Sequence, residues 1–190
     1  MSSATPDFGE LNGSDLVIGV VTAAYNPELT DGLLARVQAV LREHRVAPDN
    51  IDLRRVPGSA ELPYAANMLA TSGEYDCVIV LGVVIAGDTP HHMIIAQSTA
   101  SALQQIALAT QVPTINGIIV TENEDQARAR VLGDIDRGAE FARAGLVMAR
   151  EKVDLCEFLE RLDAEDLERT RANPEDADDF PGGNQPFKNN

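Results

Sequence analysis

Residues 77–92 read CVIVLGVVIAGDTPHH, and the architecture follows from this stretch. Cys77 to Ile85 is an uncharged apolar run rich in Val and Ile. It is too short to span a bilayer and reads as a strand buried on both faces, the pattern of a parallel sheet. Gly87 ends the run, Thr89 stands at the expected N-cap of a following helix, and Pro90 takes its first helical position.

Working outward, three more runs are read as strands of the same buried kind: Leu16–Thr22, Ile51–Val56 and Pro113–Val120. Helical periodicity fills the gaps at Asp31–Arg45, Ala60–Thr71 and His91–Thr110. In the first of these, Leu33, Leu34, Val37, Val40 and Leu41 share one face. Asp125–Leu132 and Arg137–Leu162 continue as helices. The order βαβαβαβαα predicts parallel pairing through right-handed crossovers: a three-layer α/β/α sandwich around a four-stranded parallel sheet. One domain is expected over residues 16–172. Residues 1–15 are expected to form a flexible polar arm, and residues 173–190 a disordered acidic tail containing Pro174, Pro181, Gly182, Gly183 and Pro186.

The charge balance narrows the partners. Thirty acidic residues against fifteen basic ones give a formal charge of −15 over 190 residues, which opposes binding to nucleic acid or anionic membrane. Cys77 and Cys156 form neither a disulfide framework nor a metal spacing, and no basic residue precedes Arg36, so a reduced, cytoplasmic setting is expected. From Thr89 to Thr121 there is no Asp, Glu, Lys or Arg at all. A helix at His91–Thr110 with no charged outer face fits packing against another subunit. The alternative is cover by the chain's own last helix.

Ligands of parallel α/β sheets bind beyond the carboxyl ends of the strands, and three strand ends here carry unusual residues. Tyr25 and Asn26 follow the first strand; Tyr25 either caps the core or meets a ligand. After the second comes VPGSAELP (56–63), where Ser59 can cap a helix. Glu61 either complements the helix dipole or accepts hydrogen bonds from a ligand. After the third comes the Gly87-Asp88-Thr89 turn, whose exposed N–H groups suit an anion such as phosphate. His91 lies just inside it, where the positive end of a helix favours neutral imidazole, able to accept a proton. Downstream, Arg130 and Arg137 offer guanidinium groups for a phosphate, whereas Arg128 reads as a partner in pairing along its own helix. No P-loop, dinucleotide fingerprint, HExxH or Ser-His-Asp pattern is present.

The ordered series AYN (24–26), VPGSAELP, GVVIAGDTPHH (82–92), VPTINGII (112–119), TENEDQARAR (121–130) and the later Arg137-Gly138 resembles the lumazine synthase family from about Leu16 to Arg150. The resemblance implies a flavodoxin-like fold and a homo-oligomer, either a pentamer or an assembly of pentamers, with active sites between subunits. It implies condensation of 5-amino-6-(D-ribitylamino)uracil with 3,4-dihydroxy-2-butanone 4-phosphate to 6,7-dimethyl-8-ribityllumazine, without metal or organic cofactor. By the same resemblance Tyr25, Asn26, Ser59, Ala60, Glu61, Ile85 and Asn116 correspond to the pyrimidine and ribityl subsite. Gly87, Asp88, Thr89, Arg130 of a neighbouring subunit and Arg137 correspond to the phosphate subsite, and His91 to the proton-transfer residue. Departures from the family pattern are Ala60 and Asn116 where aromatics are common, Ala86 where a basic residue is frequent, and His92-Met93 where an acid usually follows the histidine. These departures motivate an alternative: a catalytically weak paralogue that binds flavin or lumazine, or forms a shell.

Overall fold

The computed structural model describes residues 8–172; the tail expected at 173–190 lies outside them. Four strands, β1 (Ile18–Ala23), β2 (Ile51–Val56), β3 (Cys77–Ile85) and β4 (Thr114–Thr121), form one parallel sheet in the order β2-β1-β3-β4. Ile18 sits between Ile51 and Cys77, and Val78 opposite Thr114, so all four chains leave the sheet at one edge. Helices α1 (Pro27–Glu43), α2 (Leu62–Ser72), α3 (His91–Thr110), α4 (Glu124–Val131) and α5 (Arg137–Ala172) follow in sequence. This is the expected α/β sandwich.

Period-two alternation explains the continuous apolar strands. Ile18, Val20, Ile79 and Leu81 point into a core with Leu33, Val37 and Leu41 of α1 and Ala142 and Leu146 of α5. Val21, Val78 and Val80 point the other way, onto Leu62 and Leu69 of α2 and Leu103 and Ile106 of α3. Gly145 lets α5 lie close on β3, because a Cβ there would stand 2.7 Å from Ile79 Cδ1. Up to Val153, α5 packs on the opposite layer from α3 and does not cover the charge-free helix; Met93, Ile94 and Leu108 of α3 are exposed.

One local expectation changes. β2 is not buried on both faces but is an edge strand with Leu53, Arg54 and Arg55 exposed. Its charges, paired as Arg54–Asp52 and Arg55–Asp31, guard the open edge. Residues 11–15 of the expected arm are tied down: Gly13 N–H donates to the His44 carbonyl (2.8 Å), and Arg150 pairs with Asp15. The described residues up to Val153 form one compact α/β unit, and the rest of α5, from Asp154, belongs to a second. Cys77 is buried in β3, where desolvation pushes its thiol far up, while Cys156 is exposed. Among the described residues no helix is long and apolar enough to cross a membrane.

Candidate active site

The sheet winds outward in both directions from β1 and β3, so their carboxyl ends flank the topological switch point, where doubly wound sheets open a crevice. A cavity of about 420 Å³ lies there. Its wall is built from Tyr25 and Asn26 after β1, Gly58–Glu61 after β2, Val83–Ile85 at the end of β3, and His91 and Ile95 on the first turn of α3. Seven expected residues therefore meet in one cleft: Tyr25, Asn26, Ser59, Ala60, Glu61, Ile85 and His91.

Each side chain has a local reason for its position. Asn26 adopts a left-handed backbone (φ 53°), which asparagine tolerates, and its carbonyl accepts the first bonds of α1 from Leu29 and Thr30. Its Nδ2 donates across the switch point to the Val83 carbonyl at 2.9 Å, so Asn26 clasps the β1 loop to β3. Tyr25 is 73% exposed and does not cap the core; its ring is free to face a ligand. Gly58 N–H donates to Glu61 Oε2 at 2.9 Å, which shapes the turn ahead of α2 and engages one of the two carboxylate oxygens. Ser59 is buried with its hydroxyl over the backbone of β3, and Gly82 makes room for it: a Cβ at Gly82 would stand 2.7 Å from Ser59 Oγ.

The phosphate-type residues are distributed differently. Gly87, Asp88 and Thr89 form an exposed turn outside the cavity wall. Thr89 is not the N-cap of α3. The helix begins at His91 behind Pro90, whose carbonyl accepts from Met93 and Ile94, leaving the His91 and His92 N–H groups ahead of the ladder. The Thr89 carbonyl instead faces His92 Nδ1 at 3.3 Å. Asn116 is exposed on edge strand β4, where its side chain accepts from Ile118 N–H; it does not line this chain's cavity. Arg130 lies on α4, with Nη1 donating to the Gln126 carbonyl and no ion pair among the described residues. Arg137 opens α5 and is engaged by Glu140. Arg128 pairs along its helix as expected, with Glu124. It also grips Glu28 of α1 through both Nη atoms, and the two carboxylates push its guanidinium pKa up.

Gly58, Val83, Val84 and Ile95 were not among the expected site residues. Ile95 carried a legible signal, since it lies four residues after His91 and so on the same helical face. Val83 and Val84 look like any other strand residues until β3 is placed beside β1.

A doubly wound parallel sheet with an aromatic, a carboxylate and an imidazole converging on its switch-point crevice has the form of an α/β enzyme. The family model described as 6,7-dimethyl-8-ribityllumazine synthase matches residues 15–152. Proteins named 6,7-dimethyl-8-ribityllumazine synthase are similar over most of the chain. That of Azoarcus sp. (strain BH72) is 35% identical over 140 residues, 74% of this chain and 88% of that protein. That of Nitrosospira multiformis is 38% identical over 148 residues, 78% of this chain and 91% of that protein. That of Thermococcus kodakarensis is 39% identical over 141 residues, covering 74% and 89%. The chain belongs to the 6,7-dimethyl-8-ribityllumazine synthase family.

Proposed function

We propose that this chain acts as a lumazine synthase in riboflavin biosynthesis, joining 5-amino-6-(D-ribitylamino)uracil to 3,4-dihydroxy-2-butanone 4-phosphate to give 6,7-dimethyl-8-ribityllumazine, phosphate and water. The observation that carries the residue-level reading is the meeting of Tyr25, Ser59, Glu61 and His91 in one switch-point cavity. Tyr25 stacks on the pyrimidine, while Ser59 and the free oxygen of Glu61 bind the ribityl chain and ring. Ala60 and Ile85 complete the wall. Asn26 acts chiefly by holding the loop that carries Tyr25.

A pyrimidine amine attacks the ketone, and loss of water forms a Schiff base. Phosphate leaves by elimination, and the second amine closes the ring with loss of a further water. Each step moves a proton, and a histidine beside the reacting amine contributes on the order of 10²–10⁴-fold as acid and base. The Gly87–Thr89 turn and the first N–H groups of α3 receive the phosphate. Arg130 supplies the guanidinium from a second copy, which supports reading the charge-free α3 as an intersubunit face in a homo-oligomer, a pentamer or an assembly of pentamers. Asn116 and Arg137 are assigned to the borders of this composite site. Holding two reactants together supplies much of the remaining acceleration, about 7–11 kcal/mol where orientation is good.

The test mixes purified protein with both substrates and follows lumazine fluorescence. Turnover above the uncatalysed background is expected, with Arg130→Ala raising the KM for the butanone phosphate more than that for the pyrimidine. No turnover would leave the binding or scaffold alternative, which Ala60 in the cavity wall favours. Equal effects on both KM values would remove Arg130 from the phosphate subsite.

A further inference from the structure

The family match ends at residue 152, yet α5 continues to Ala172. The continuation is patterned. Leu155, Phe158, Leu159 and Leu162, spaced i, i+3, i+4 and i+7, fall on one face and are 41–56% exposed. Arg161 lies over the Phe158 ring, 5.9 Å from its centroid. Asp154, Asp163 and Glu165 border the apolar stripe and Asp166 closes its far end. Between Asp154 and Ala172 the chain carries seven acidic and three basic residues.

We propose that this extension of α5 is a docking helix for another protein, whose contact segment is an amphipathic helix bearing Leu- or Ile-type side chains flanked by Lys or Arg. The stripe supplies an apolar seam of about two turns. The acidic border selects the charge of what covers it. A second copy would set Asp154, Asp163, Glu165 and Asp166 against the same acids, with Arg161 the one basic residue beside the seam and already held over the Phe158 ring. The chain's own residues 173–190 carry the same sign, with Glu175, Asp176, Asp178 and Asp179 against Lys188. Anionic lipid and nucleic acid are repelled by the same border. Only a cationic apolar segment satisfies both halves of the surface.

The test uses the full chain and a fluorescein-labelled synthetic peptide of about three heptads, with Leu on one face and Lys elsewhere. Its all-Glu counterpart serves as the control, and binding is read by anisotropy. The Lys peptide should bind and the Glu peptide should not. The double substitution Phe158→Ser/Leu159→Ser leaves the charge unchanged, so it should weaken binding by at least about tenfold while lumazine formation and helix content persist. Asp163→Lys/Glu165→Lys, which reverses one border residue on each side of the stripe, should weaken the Lys peptide and admit the Glu peptide. Lys-peptide affinity that survives loss of Phe158 and Leu159 would reduce the effect to bulk charge and overturn the proposal. So would absence of Lys-peptide binding, or a change in sedimentation of the Ser variant showing that a second copy already covers the stripe.

Discussion

Asn26 crosses the switch point with a single donor, the Nδ2–H that reaches the Val83 carbonyl 2.9 Å away. Asn26→Asp keeps the shape and the tolerance of the left-handed backbone but turns that donor into a carboxylate oxygen facing a carbonyl. Losing the bond costs about 0.5–1.5 kcal/mol, and leaving the largely buried Val83 carbonyl opposed rather than paired raises the total to about 2 kcal/mol. For a chain of this size that lowers the melting temperature by about 4–8 °C. The sign with pH is fixed by the repulsion. A carboxyl held against a carbonyl has its folded pKa raised, so its protonated, donating form is favoured. The penalty is then absent below the unfolded carboxylate value of about 3.9 and complete once pH rises past the folded value. Urea unfolding of the variant and of the parent at pH 4 and pH 7.5 measures both magnitude and sign. Asn26→Gly, which relieves the backbone and removes the side chain, should lose about 1–2 kcal/mol with no such pH dependence. A variant that unfolds with the parent at pH 7.5, or shows the same deficit at both pH values, refutes the clasp.

Gly82→Ala places a methyl group 2.7 Å from Ser59 Oγ and 3.1 Å from Leu62 Cδ1, so it should cost about 1–3 kcal/mol in unfolding experiments and raise the KM for the pyrimidine more than that for the butanone phosphate. The Tyr75 hydroxyl, donating to Asp52 at 2.5 Å, holds that carboxyl below its ordinary 3.8. Tyr75→Phe should therefore cost about 1 kcal/mol at neutral pH, a gap that narrows below pH 3.8 and closes once the folded carboxyl protonates, as acid titration of circular dichroism would record. Asn116→Phe should tighten pyrimidine binding if the residue borders the site of an adjoining copy; calorimetry showing unchanged or poorer affinity would place it elsewhere.

The parts of the fold that could be read from the chain are those where local pattern and burial coincide. β3 is apolar throughout because it is central and covered on both faces, and the turn after it announces itself through Gly87 and Pro90. β2 was read the same way, but its place at the sheet edge depends on strand order, which periodicity does not encode; Asp52, Arg54 and Arg55 were the hint. α3 runs over His91–Thr110 as expected, but its cap lies one residue later than expected, because the backbone uses the carbonyl of Pro90 rather than Thr89 to receive the first helical bonds. In the cleft, residue types that stand out in a strand-to-helix loop were legible: Tyr25, Glu61 and His91. The partnership of Asn26 with Val83, separated by 57 positions, was not, since it exists only after β1 and β3 lie side by side. Arg130 was legible as a guanidinium able to pair with phosphate, but one chain does not contain the surface it is proposed to serve.

The two walls of the cleft are built to different tolerances. On the β1 side, the Asn26 clasp, the Gly58–Glu61 closure and the Ala24 N–H donating to the Val56 carbonyl tie the loops after β1 and β2 and strand β3 into one frame. On the β3 side, the last backbone tie before α3 is Ala86 N–H to the Thr121 carbonyl, after which Gly87 to Pro90 run exposed. Accommodation of a ligand is therefore expected to fall on the Gly87–Pro90 turn, with the loops after β1 and β2 serving as a fixed jig for whatever is brought against them.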